Sequence, residues 1–212
     1  KVFVSQNAKY NAAAVTLRRL IQDEVYGKAS FGMQLKLDWR SKGVHHSGED
    51  EHAYLWERGI HDFDTLRFIF ASDPKRMWAH SFNPSWSPYK AGAGAHAWIE
   101  FESGATCGYL CCFESHKRGA MTRIDCEGGT LELAGGKLTL KHREKEEGEE
   151  IPLDDCPDST TVILNEFNTY LAGGDEPFNS GRNNLKTVAM VEGCGVASAE
   201  SRVVDFQEFL NG

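Results

Sequence analysis

No apolar run in this chain approaches the roughly 20 residues that cross a bilayer, and no helical stretch pairs an apolar face with a basic one. Basic charge is scarce: 23 Lys and Arg against 31 Asp and Glu leave a net charge of -8. That balance argues against nucleic acid and against an anionic membrane surface as partners. The six cysteines contain no C-x-x-C pair, and adjacent Cys111 and Cys112 point to opposite faces of any strand. This argues against a disulfide framework and against a Cys107/Cys111/His116 metal site. It favours free thiols, packed as small hydrophobes in a reducing cytoplasm. A glycine-rich phosphate turn is also missing. No G-x-G-x-x-G follows an apolar strand, and Gly92-Ala93-Gly94 precedes a strand instead of opening a helix.

What is present suffices for one domain: 212 residues, 41% of them hydrophobic, can bury a substantial core. Val2 to Gln6 reads as a strand. Asn11 is placed to cap a helix that runs to Tyr26, with Gly27 ending it. Phe31, Met33, Leu35 and Leu37 alternate as in a strand, and a polar loop follows from Trp39 to Tyr54. Further strands are predicted over 76–82, 95–101, 105–114, 122–127, 130–134 and 137–141, with Gly135-Gly136 as a hairpin turn. The charged run 143–150 reads as a solvated loop tip. Closing helices are predicted over 160–171 and 180–199, the second capped by Ser180.

Strands in series with helices at both ends predict an α+β fold: a large, mostly antiparallel open sheet with helices on one face. The strand over 105–114 is apolar on both sides. One helix layer covers only one of them, so a second copy of the sheet is expected on the other, giving a homodimer through the open face.

The most chemical stretch is Glu51 to Phe70. Glu57 and His61 lie four residues apart where a helix opens, and Phe63, Leu66 and Phe70 anchor that helix in a core. Imidazole titrates near neutral pH and serves as general acid or base.

The segment ERGIHDFDTLRFIF, with Glu57, His61, Asp64 and Arg67, resembles the catalytic helix of the glucose-fructose oxidoreductase/myo-inositol dehydrogenase (Gfo/Idh/MocA) family. Two further stretches agree in order. VFVSQNAKYNAAAVTLRRLI is similar to the passage from the family's nucleotide domain into its second domain, and NSGRNNLKTVAMVEGCGVASAESRVVDF to its terminal helix and last short strand. The resemblance implies that 1–10 is the last strand and linker of a Rossmann domain not contained in this sequence, and 11–212 the substrate-binding and dimerisation domain. It implies hydride transfer between NAD or NADP, held mainly by the absent domain, and a hydroxyl-bearing carbon of a sugar or polyol. His61 would take the hydroxyl proton, aided by the lysine of a Glu-Lys-Pro tripeptide that this chain lacks. Glu57 stands where many members carry Asp and would orient or tune His61. Asp64 and Arg67 are expected to be structural.

Tyr10, Trp39, Arg40, His45, His46 and Trp56 are the candidate substrate contacts. Aromatic faces stack on sugar rings, and Arg and His donate to hydroxyls. Two other functions fit the residues: a non-catalytic sugar-binding or dimerisation module, and a metal-dependent hydrolase or lyase using the cluster His45 to His52.

Overall fold

A computed structural model describes residues 1–40, 51–145 and 147–210. Nine strands, β1 (Ala29–Trp39), β2 (Pro74–Phe82), β3 (Gly94–Phe101), β4 (Thr106–Cys112), β5 (Glu114–Cys126), β6 (Gly129–Ala134), β7 (Lys137–Lys141), β8 (Glu149–Ile151) and β9 (Val204–Asp205), form one sheet. Their order is β8-β7-β6-β5-β1-β4-β3-β2-β9. Only β1 and β4 run parallel, with Leu35 opposite Leu110; all other pairs are antiparallel. The predicted α+β architecture is therefore observed.

Helices α1 (Ala12–Gln22), α2 (Ile60–Phe70), α3 (Ser159–Leu171), α4 (Gly181–Glu200) and α5 (Gln207–Leu210) complete the fold. Among the described residues none is long and apolar enough to cross a membrane. The caps lie where side-chain chemistry puts them. Asn11 accepts from the Ala14 amide at 3.0 Å, and Ser180 accepts from the Asn183 amide at 3.1 Å. The Gly135-Gly136 turn has positive φ at both residues (58° and 81°), as a two-residue hairpin of this hand requires.

One expectation is corrected. Helix α1 stops at Gln22, not Tyr26: Glu24 turns left-handed and Val25 bonds back to the Leu20 carbonyl. Val2 to Gln6, expected to pair in the sheet of a nucleotide-binding domain, makes one isolated bridge here, Phe3 to Ser180, and hydrogen bonds to the start of α4.

Helix α2 anchors the layer on the sheet. Phe63, Leu66, Ile69 and Phe70 are buried, a burial that contributes roughly 6–12 kcal/mol before ordering costs. Phe63 meets Tyr109 of β4 at 5.0 Å between ring centroids, and Phe70 stacks on Phe101 of β3 at 4.6 Å. Helix α4 packs beside it, with Cys194 against Met77 of β2. All six cysteines are free.

The other face of the sheet is uncovered. Phe31 and Met33 are 52% and 48% exposed, and the cross-strand pair Trp78 and Trp98 41% and 37%. Strand β1 thus turns its apolar residues away from the helices.

Candidate active site

Helix α2 is entered through a π-helical turn, Leu55–Gly59, that carries Glu57 one turn before His61. Such wide turns offset side chains from the positions an α-helix would give and recur at functional sites. His61 follows in the first turn of α2. Its Nδ1 is buried and without a hydrogen-bond partner among the described residues, so none of them fixes its tautomer through that nitrogen.

Glu57 is bound by Arg40, which leaves β1. The guanidinium lies 4.3 Å over the ring of Phe113, and its backbone amide donates to the Phe113 carbonyl at 2.9 Å. Phe113 is a shared platform: the Tyr54 ring lies against it at 4.3 Å and the Tyr89 ring stacks on it at 5.7 Å. Phe113, buried just past the end of β4, thereby holds the Arg40–Glu57 pair in place from the guanidinium side.

Behind His61, Asp62 points into the core. Tyr109 donates to its carboxylate at 2.7 Å and Tyr54 at 3.3 Å. Burial pushes the Asp62 carboxyl above its usual range, opposed first by the charge of Lys36 and then by the hydroxyl of Tyr109. Asp64 and Arg67, one and two turns on, are locked in buried networks. Asp64 pairs with Lys9 at 2.6 Å and accepts from Thr187 at 3.2 Å, while Arg67 holds Asp73 at 2.7 Å and Thr187 at 2.7 Å.

The substrate candidates scatter. Tyr10 is buried, and its hydroxyl donates to both oxygens of Glu166 at 2.8 and 2.9 Å; burial and then that carboxylate push its phenol above the usual range. Trp39 is exposed at the end of β1, where its carbonyl accepts from Arg118. Trp56 is exposed beside Glu57 on the π turn. His45 and His46, and most of the proposed metal cluster, lie outside the described residues. Among the described residues no group of three metal-binding side chains converges.

Reasoning from sequence missed Asp62 and Tyr89. Asp62 had a signal, since it lies one turn before Leu66 and beside Phe63, on the side of the helix that faces the core. Tyr89, in the loop between β2 and β3, had none; its hydroxyl is buried and has no partner among the described residues.

Comparison with known proteins bears on this arrangement. Residues 14–132 match the sequence profile of the GFO/IDH/MocA C-terminal domain. The chain belongs to this family. It is 25% identical over 227 residues to a D-apiose dehydrogenase of Paraburkholderia graminis, covering 97% of this chain and 59% of that protein. A crystal structure of an oxidoreductase from Agrobacterium radiobacter in complex with NAD+, L-tartaric acid and magnesium superposes with a TM-score of 0.82 at 21% identity, over 98% of this chain and 66% of the other. The aldose-aldose oxidoreductase of Caulobacter crescentus complexed with glycerol superposes at 0.83 with 16% identity, over 97% and 64%. This GFO/IDH/MocA domain thus spans about three fifths to two thirds of the relatives' lengths, and the solved structures speak for its fold.

Proposed function

We propose that this chain is the substrate-binding, acid–base part of an NAD(P)-dependent oxidoreductase acting on a sugar or polyol hydroxyl, with His61 as the proton-transfer residue. The carrying observation is His61 itself. It occupies the family's histidine position, in the first turn of a helix held rigidly on the sheet, with one ring nitrogen unclaimed by any described residue. Glu57, fixed by Arg40, supports it through its field. No described residue hydrogen-bonds the His61 Nδ1. Trp39 and Trp56 present exposed aromatic surface next to Arg40 and Glu57 in the chain and suit the apolar face of a sugar ring.

The residues of this chain fit a nicotinamide in one respect only: they offer an acid–base group and hydroxyl-binding side chains, and no phosphate-binding turn. A bound nicotinamide supplies the hydride acceptor. His61 accepts the proton from the substrate hydroxyl as that carbon is oxidised, and returns it in the reverse direction.

The test is nicotinamide reduction by the protein carrying this chain together with its nucleotide-binding domain, against a panel of sugars and polyols that includes D-apiose. His61→Ala is expected to lower kcat by roughly 10²–10⁴-fold. Turnover unchanged by the substitution refutes the role of His61. No turnover with any sugar leaves the non-catalytic binding module as the reading to adopt.

The uncovered sheet face, with Phe31, Met33, Trp78 and Trp98, supports a homodimer through that face.

A further inference from the structure

A cavity of about 260 Å³ lies between the end of β2, the last turn of α4 and residues 51–52 and 90–92, and neither Arg40, Glu57 nor His61 lines it. These stretches meet there because Gly92 lets them. Its φ of 61° is left-handed, and a Cβ in its place would lie 2.5 Å from the Glu51 carbonyl, 2.7 Å from His52 Cα and 3.0 Å from Ser81 Oγ. The Gly92 carbonyl accepts from the Tyr54 amide at 3.0 Å, and the Ser81 amide donates to Ser198 Oγ at 2.9 Å. The first bond ties the loop after β2 to the backbone entering the π turn. The second ties β2 to α4.

Two residues of the lining carry a buried polar atom with no partner among the described residues: Ser81, at Oγ, and His52, at Nδ1. The His52 ring is oriented from behind. Its Cδ2–Nε2 edge faces Gly195 of α4, where a Cβ would come within 3.1 Å of both atoms and of no other ring atom within 4 Å. Nδ1 is the vertex opposite that edge, so it points away from α4. Buried polar atoms are nearly always paired in folded proteins, and here two stand unpaired around one cavity. Its volume is several times the about 30 Å³ that a water takes up in the liquid, so it has room for a larger molecule.

The surroundings select the class of that molecule. Glu51 and Lys90, one charge of each sign, line the cavity as exposed residues, and the last turn of α4 adds the partial negative charge of its carbonyls. An anion is opposed by Glu51 and the helix end, and a cation by Lys90. A hydroxyl both gives and takes a hydrogen bond, which suits the Ser81 hydroxyl and an imidazole nitrogen in either tautomer. We propose that this cavity is a second binding site, for a small neutral polyhydroxylated molecule, with Ser81 and His52 as its hydrogen-bonding anchors. The site rests on its own groups and not on the oxidoreductase reading.

Binding, not turnover, tests this. Erythritol is titrated calorimetrically into the protein carrying this chain, as wild type, Ser81→Ala, His52→Leu, Ala199→Leu and Arg40→Met, with inorganic phosphate as the anionic control. Ser81→Ala and His52→Leu are each expected to weaken erythritol binding about tenfold, the size of one lost hydrogen bond. Ser81→Ala deletes an unpaired buried hydroxyl and should melt no lower than the wild type. Ala199→Leu enlarges an exposed helical residue of the lining, so it should abolish binding without changing the melting temperature. Arg40→Met, at the other site, should leave the affinity as it is. No erythritol binding, binding of phosphate alone, or affinity indifferent to both Ser81→Ala and Ala199→Leu overturns the proposal. Affinity lost in Arg40→Met and kept in Ser81→Ala would place the polyol beside Glu57, which overturns this site and leaves the oxidoreductase reading intact.

Discussion

Replacing Asp64 with Asn is expected to destabilise this protein by about 3–5 kcal/mol, because it strands a buried lysine. Lys9 is fully buried. Its ammonium donates to Asp64 at 2.6 Å, to the Gln6 carbonyl at 2.9 Å and to Asn179, and lies 4.9 Å over the rings of both Tyr10 and Phe178. Those contacts tie the segment before α1, helix α2 and the entry to α4 to a single charge. Desolvation nevertheless outweighs them, and the Lys9 ammonium is held below its usual pKa despite the attraction of Asp64. The pair is therefore not a net gain over an apolar filling of the same volume, although losing one partner is costly. At 2–4 °C per kcal/mol for a domain of this size, Asp64→Asn should lower the melting temperature by roughly 6–20 °C. The double variant Lys9→Met/Asp64→Leu should recover most of that. Thr187 keeps Arg67 as a donor, and the Gln6 carbonyl keeps the Asn179 amide at 3.3 Å. Thermal melts by circular dichroism at neutral pH, as a double-mutant cycle, decide the matter. A double variant as unstable as the sum of the single ones, or an Asp64→Asn protein that melts with the wild type, would refute the reasoning.

Asp62→Asn keeps an acceptor for Tyr109 and Tyr54 but removes the desolvated charge. A carboxyl whose folded pKa is raised holds a proton that the unfolded chain releases, so stability falls as pH rises from the unfolded value, about 3.9, through the folded one. The gain in melting temperature on Asp62→Asn should thus grow with pH from about 4 upward; a difference independent of pH would contradict it. Tyr89→Phe removes a buried hydroxyl without a described partner and should be neutral or stabilising by up to about 1 kcal/mol in urea denaturation, while a loss above that would show an unrecognised partner. Arg40→Met removes the guanidinium bound to Glu57 and should raise KM and lower kcat by roughly tenfold or more in the sugar assay, with Glu57→Gln/Arg40→Met no worse than Arg40→Met alone. Met33→Glu places a charge on the uncovered sheet face beside Arg123 and opposite Gly108; sedimentation is expected to give a dimer for the wild type and a monomer for the variant, and the same mass for both would remove the open face as an interface.

Features that depend on a few neighbouring residues are legible in the chain's own order of residues. Asn11 and Ser180 cap their helices because a short polar side chain reaches amides three residues on. Gly135-Gly136 turns because only glycine enters both left-handed positions at no steric cost. The α2 face of Phe63, Leu66 and Phe70 follows from its period. Even the structural character of Asp64 and Arg67 is readable there. Elements without a local signature are not. Strands β8 and β9, three and two residues long, are too short to show a period. The π turn before α2 has the composition of an ordinary helix.

The family, the α+β class, the position of His61 at a helix start and the alternation of β1 are all written in the sequence, since each rests on periodicity, capping chemistry or a motif within some twenty residues. Which side of β1 meets the helices is not, and so neither is the fact that Gln34 is buried and Phe31 exposed. The same holds for the pairing of Arg40 with Glu57 and of Tyr10 with Glu166, and for the burial of Lys9, a residue type that ordinarily stays in water. Lys9 and Asp64 are 55 positions apart, and Tyr10 and Glu166 are 156 apart. No local preference carries information over that distance. Those partners are selected by strand register and helix packing, where a shift of one residue would exchange every buried side chain of β1 for an exposed one.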